Sequence, residues 1–266
     1  MTNISAFLVK KLRARTGVGI MDCKRALMCM KGDIDKSVDF LRKMGQIKAE
    51  KKQFLLTQNG SIFISFDHNL GVMLELSSET DFVSKHKDFL CLGEKILDYV
   101  LTHPMESIEF IRKHFEDLRT SLVMQVNENI VIRRIQTLNK KYITGYLHGR
   151  RIGVLVQTSS INNHLAKEIA MHIAASNPKY LRSDLVPKSI MEREYEIQLE
   201  LAMQSKKSKP ILEKIIKGRM IKFANEISLL GQNFIFDPHR KVSEVILKNN
   251  IDVISFVRYE VGEKYI

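Results

Sequence analysis

The chain has 266 residues, 44% hydrophobic and 27% charged, which is enough for two or three domains around a well-buried core. No apolar run reaches the ~18 residues of a membrane-spanning helix, and Met1–Ser5 has no signal-peptide pattern, so the expected location is the cytoplasm. Three cysteines without CxxC spacing (Cys23, Cys29, Cys91) argue against a disulfide framework or a zinc site, and the net charge of +12 points to an acidic partner or to nucleic acid.

Residues 3–45 read as three short helices. Ile4, Phe7, Leu8 and Leu12 form the first apolar stripe, with Asn3 as the expected N-cap. Gly17 and Gly19 mark a turn, and Met21, Cys23, Leu27 and Met30 make the second stripe, with Asp22 in its first turn. Gly32 closes that helix and Asp33 caps the next, whose stripe Ile34, Val38, Leu41 is expected to end at Gly45. Lys48 to Lys52 then reads as a basic linker. Residues 1–52 hold thirteen basic side chains against five acids, a net of +8; a solvated helix surface explains this as readily as a charged partner does.

From Gly60 the apolar period changes to two. Ser61–Phe66 and Gly71–Leu76 read as a hairpin turning at Asp67–Asn69. Leu74–Lys85 reads as the end of that second strand, a polar turn and the start of a helix. Phe82, Phe89 and Ile96 recur in steps of seven, which alone would place Phe82 on the helix's core stripe and leave Asp81 to serve the helix dipole. A second helix is expected from Ser107 to about Val126, then a strand over Asn129–Ile135. The pattern repeats: Tyr142–Leu147, a turn at His148-Gly149-Arg150, and Gly153–Val156, with Gly153 standing 82 residues after Gly71. A helix carrying Leu165, Ile169, Met171 and Ile173 follows, and Val253–Tyr259 is the last strand. The two halves read as a duplication. Residues 189–226 interrupt the second half as a helical hairpin, with stripes Met191, Tyr195, Leu199, Ala202 and Leu212, Ile215, Arg219, Phe223 around a turn at Ser205–Pro210. Its narrow stripes suit an antiparallel coiled coil, or a packed pair within the body.

Catalytic constellations are missing. There is no phosphate loop, no dinucleotide fingerprint, no HExxH and no GxSxG, and the eight histidines are scattered. Neither an enzyme nor a cofactor-binding or metal-binding site is expected.

The segment Leu12-Arg13-Ala14-Arg15-Thr16-Gly17-Val18-Gly19-Ile20-Met21-Asp22-Cys23 is similar to the signature of bacterial elongation factor Ts. Glu79-Thr80-Asp81-Phe82-Val83 resembles the family's second signature, and His148–Val156, Met171–Ser176 and Arg258–Glu263 match as well. The resemblance implies an α+β fold. An N-terminal three-helix bundle of the ubiquitin-associated type (1–54) would dock on the GTPase domain of elongation factor Tu. It would be followed by two related α+β halves (55–140, and 141–180 with 229–263) and an inserted helical hairpin (181–228). It implies a guanine-nucleotide exchange factor, with Thr80, Asp81, Phe82 and Val83 dislodging Tu's Mg²⁺. Leu12, Arg13, Thr16, Gly17, Gly19, Met21 and Asp22 would contact Tu, as would His148 and Gly149. The complex would be a heterodimer, or a dimer of heterodimers through the hairpin, with no nucleotide, membrane or specific nucleic acid bound directly. A basic RNA-binding adaptor of the translation machinery is the alternative. Two departures stand out: Ser84-Lys85-His86 replaces the usual Ala-Lys-Asp, and the family's C-terminal module is expected to be absent, which would reduce contact with Tu.

Overall fold

The computed structural model describes residues 4–67, 69–203 and 209–263. It begins with α1 (Ala6–Thr16), α2 (Ile20–Cys29) and α3 (Ile34–Lys52). The expected cap Asn3 lies outside the described residues; the Ser5 hydroxyl accepts from the Leu8 amide at the start of α1. Gly17, with φ 70°, ends α1 in the left-handed region, and its N–H donates to the Arg13 carbonyl at 2.7 Å. Asp33 caps α3 by accepting from the Lys36 amide at 3.0 Å. Val9, Leu12, Val18, Cys23, Ala26, Leu27 and Leu41 form the core of the three helices. The third helix does not stop at Gly45, and Lys48 to Lys52 are its last turns rather than a linker.

Next come β1 (Asn59–Phe66), β2 (Leu70–Ser78), α4 (Asp81–Ser84), α5 (Lys87–Thr102), α6 (Ile108–His114), α7 (Glu116–Val126) and β3 (Ile130–Asn139). The sheet order is β1-β2-β3, all antiparallel. Its central strand β2 is buried along almost its whole length, which is why its sequence is a near-continuous apolar run rather than an alternation. The single helix expected over 107–126 is two, broken at Phe115, whose buried ring turns into the core. Gly45 has a packing role: a Cβ there would sit 2.8 Å from Met124 Cγ and 3.3 Å from the Thr120 carbonyl, so its bare backbone lets α3 lie against α7. Glycine is being used for close approach, not for a helix end.

The second half contains β4 (Ile143–His148), β5 (Ile152–Thr158), α8 (Asn163–Ser176), α9 (Lys188–Met203), α10 (Lys209–Glu226), β6 (Asn233–Phe234), β7 (Asp237–Lys241), α11 (Val242–Lys248) and β8 (Val253–Glu260). Its main sheet, β4-β5-β8, has the topology of the first. The likeness extends to irregularities: the register of β2 slips between Glu75 and Leu76, and that of β5 slips between Gln157 and Thr158, again 82 residues on. The two sheets pack face to face through Ile62, Met73, Ile143, Leu155, Tyr259 and Val261. Gly71 and Gly153 make this possible reciprocally. A Cβ on Gly71 would meet Leu155 at 3.2 Å, and one on Gly153 would meet Met73 at 3.1 Å. Helix α5 covers the outer face of the first sheet and α8 that of the second. Helices α9 and α10 pack on one another, burying Ala202, Ile216 and Ala224; most of the turn expected at 205–210 lies outside the described residues. Among the described residues no helix is long and apolar enough to cross a membrane, and no cluster of side chains could hold a metal ion.

Candidate functional site

The turn after β2 is fastened from several directions. Glu79 accepts from the Asn129 amide through its side chain and from the Asn59 side-chain amide through its carbonyl. Lys52, at the end of α3, lies 3.6 Å from the Glu79 carboxylate. Thr80 donates twice to Glu128: its amide to Oε2 at 2.9 Å and its hydroxyl to Oε1 at 2.6 Å. The Ser78 hydroxyl donates to the Thr80 carbonyl at 2.8 Å, and the Ser84 hydroxyl to the Asp81 carbonyl at 2.8 Å. Val83 is buried in the core of the first half.

Phe82 points the other way, and its residue is 83% exposed. The core stripe suggested by the spacing of Phe82, Phe89 and Ile96 is therefore not continuous. The helix breaks at Lys85, and His86 restarts it as the N-cap of α5, its Nδ1 accepting from the Asp88 amide. The break rotates Phe82 out while Phe89 and Ile96 stay fully buried. Beside the ring, Asp81 accepts from Lys85 Nζ at 2.7 Å; that hydrogen bond and the ammonium charge hold its carboxyl below the usual range.

The second hairpin ends in a two-residue turn, Gly149 at φ 53° and Arg150 at φ 55°, closed by the Arg151 amide donating to the His148 carbonyl at 3.0 Å. Two consecutive left-handed residues match the twist of the flanking strands. His148 is exposed and shares a 3.0 Å hydrogen bond with the Tyr146 hydroxyl. The Arg150 carbonyl accepts from the Ile62 amide at 2.8 Å, tying this turn to β1. Asp81 and Gly149, 68 residues apart in sequence, thereby line one cleft of about 260 Å³. Asp81, Ser84 and Lys85 line one side, Gly149, Arg150 and Arg151 the other, with Asn59, Gly60, Ser61, Leu90 and Val261 between them.

The N-terminal candidates cluster where α1 turns into α2. Leu12 is fully buried and supports its turn from inside, whereas Arg13 and Met21 are exposed. The Thr16 hydroxyl donates back to the Leu12 carbonyl, and the Thr16 carbonyl accepts from the Gln125 side chain at 2.9 Å, docking the turn on α7. Gly17 sits at φ 70°, where a side chain is strained, and a Cβ there would press on the Gln125 amide at 2.9 Å; Gly19 opens α2 with free space around it. Asp22 accepts from Lys48 Nζ at 2.9 Å. Lys48 and Lys52, one turn apart on α3, thus link Asp22 at one end to Glu79 at the other.

Sequence reasoning missed the groups that hold these parts. Glu75 is fully buried on β2, where Arg134 Nε donates to it at 2.6 Å and the Gly262 amide at 3.2 Å. Arg134 also reaches Glu263 at 2.7 Å and stacks on the Tyr259 ring at 3.7 Å, so the end of β8 is clamped to the first half. Burial works against the charge on Arg134, but the Glu263 and Glu75 carboxylates outweigh it and raise its pKa. A lone acid in an otherwise apolar strand was the only signal. His172 is likewise buried; its Nδ1 accepts from the Ile235 amide at 3.3 Å, leaving Nε2 to donate to Gln232 at 3.0 Å. Burial pushes its pKa down, partly offset by the Gln232 hydrogen bond.

The family model described as Elongation factor TS matches residues 79–263. The elongation factor Ts of Buchnera aphidicola subsp. Acyrthosiphon pisum (strain APS) is 49% identical over 262 residues, covering 98% of this chain and 98% of that protein. That of Photorhabdus laumondii subsp. laumondii is 47% identical over 265 residues, covering 99% and 94%. That of Yersinia pestis (strain Pestoides F) is 45% identical over 265 residues, covering 99% and 93%.

Proposed function

The chain belongs to the elongation factor Ts family and acts in translation elongation, and from that premise we propose that it is the exchange factor of elongation factor Tu, binding Tu·GDP in the cytoplasm and speeding release of GDP. It works as a binding protein rather than a catalytic enzyme. One observation carries the reading: the bare ring of Phe82 stands exposed on a turn pinned by Glu128, Asn129 and Asn59, so that it adds little to the protein's own core and is presented on a fixed backbone.

The physical task is coupling. A nucleotide held at nanomolar affinity is bound by about 12 kcal/mol. The factor weakens it only to the extent that it binds empty Tu more tightly than loaded Tu, and the effect is reciprocal. Seating Phe82 in a pocket that opens only in the empty state contributes about 1.5–3 kcal/mol. The remainder comes from the partner's own losses, when displaced Mg²⁺ and shifted amides no longer hold the phosphates. In this reading Thr80 and Val83 fix the wedge, Asp81 works beside it toward the metal, and α1–α3 dock on the GTPase domain through Arg13, Met21 and their neighbours. His148 and Gly149 meet a different part of Tu, and α9–α10 form the hairpin through which two complexes would pair.

The test is release of a fluorescent GDP from Tu in a stopped-flow instrument. Phe82→Ala should keep most of the association with Tu and lose most of the acceleration. An unchanged release rate would refute the wedge.

A further inference from the structure

We infer that the cleft between the Asp81 turn and the Gly149 turn receives a carboxylate side chain, Asp or Glu, from the protein that Phe82 contacts. The inference rests on the exchange-factor reading and adds to it a second, polar anchor beside the apolar one.

Three cations border the cleft, Lys85, Arg150 and Arg151, against one acid, Asp81. They are unequally committed. Lys85 is spent on Asp81 at 2.7 Å. Arg150 touches Glu94 only at 3.5 Å and lies over the Phe63 ring at 5.2 Å. Arg151 makes no ion pair and no side-chain hydrogen bond among the described residues, yet its backbone is fixed: its amide closes the turn and its carbonyl accepts from the Val261 amide at 2.9 Å. Arg151 thus lines the cleft on a hydrogen-bonded backbone, with the donors of its guanidinium free among the described residues. Such a fork matches the two oxygens of a carboxylate.

The floor favours a protein side chain over a nucleic-acid backbone. Leu90 and Val261 supply apolar surface, and the Ser61 hydroxyl is already spent on the Ser84 carbonyl. A phosphodiester chain needs a track of cations along its length. Here there is one pit, with Asp81 on its rim to repel a more heavily charged group. The space of about 260 Å³ suits a side chain, and Phe82, the residue after Asp81, brings a protein surface to the same place. Because the two walls come from different halves of the chain, the anchor also reads their relative position.

The experiment compares Arg151→Gln, Arg151→Glu and Arg151→Lys with the parent chain, using purified Tu·GDP. Affinity and association rate are measured at low and high salt, together with GDP release and the urea midpoint. Arg151→Gln should weaken binding roughly tenfold at low salt, Arg151→Glu more, and Arg151→Lys less, with the differences shrinking as salt rises. The urea midpoints should stay together, since the side chain is exposed. If the parent accelerates release and all three variants bind as it does, the cleft inference fails while the exchange reading stands. If the parent itself does not accelerate release, both fail. Loss of binding to a single-stranded RNA probe with unchanged binding to Tu would also overturn it. Should Arg151→Gln lower the midpoint, Arg151→Lys decides: retained binding supports a charge contact, and binding lost at an unchanged midpoint overturns simple charge recognition.

Discussion

The hydroxyl of Thr80 donates to one oxygen of Glu128 at 2.6 Å while its amide donates to the other at 2.9 Å. Glu128 reaches this place because Asn127 reverses the chain after α7 in a left-handed conformation, φ 56°. One carboxylate therefore sets both the backbone and the side chain at the root of the Phe82 turn.

Glu128→Ala should remove two charge-assisted hydrogen bonds and cost about 1.5–3 kcal/mol, read from the urea midpoint. Its larger effect should fall on GDP release, because a loosened turn no longer holds Phe82 in position. Release that stays at the parent rate, with the midpoint lowered, would show that the turn's rigidity is irrelevant to exchange.

Phe82 and Phe89, seven residues apart, should behave oppositely. Phe82→Ala should change stability by no more than about 0.5 kcal/mol, since the ring is already in solvent. Phe89→Ala empties the core between α5 and the sheet and should cost about 3–5 kcal/mol. Thermal or urea unfolding of the two variants decides the matter, and a large loss for Phe82→Ala would place its ring against the fold.

Gly45→Ala inverts a general rule. In an exposed helix interior the change gains about 1 kcal/mol. Here the new methyl meets Met124 at 2.8 Å and the Thr120 carbonyl at 3.3 Å, and backbone cannot step aside as a side chain can. The expected result is a lowered midpoint and a shifted α3–α7 contact; a gain would mean that the two helices separate freely.

Stability should also depend on pH through His172. Burial holds its folded pKa below the unfolded value of about 6.5, so the unfolded chain binds the extra proton. Its share of stability is complete above that value and is lost as pH falls through it toward the depressed folded pKa. His172→Phe should flatten this part of the profile. Equal slopes for parent and variant between pH 7 and 5 would remove His172 from the account.

Much of the fold was legible in the sequence, and the exceptions have physical reasons. Strand and helix periods located both three-stranded sheets and the main helices but not the short β6-β7 pair, and Gly71 with Gly153 disclosed the repeat. Periodicity misplaced Phe82 because a stripe at every seventh residue does not register a break, and the break here is capped by His86, an uncommon cap. Gly45 misled because a glycine that ends a helix and one that admits a neighbour are the same letter. The Thr80–Glu128 and Glu75–Arg134 pairs join residues 48 and 59 positions apart, so no local pattern reveals them. The candidate turns were each found locally, but their meeting at one cleft required the sheet packing.

The reciprocal contact of Gly71 with Leu155 and Gly153 with Met73 is the arrangement of a twofold dimer written into one polypeptide. In two identical subunits every feature would occur twice. Carried forward by the same 82 residues, Phe82 and Val83 become His164 and Leu165, and the pattern holds: one member exposed, the next buried. At that second place the side chain of Asn162 merely caps a helix by accepting from Leu165. Within one polypeptide the two copies of the turn need not match: one carries a projecting ring while its counterpart is an ordinary helix start, an asymmetry that two identical subunits could not encode.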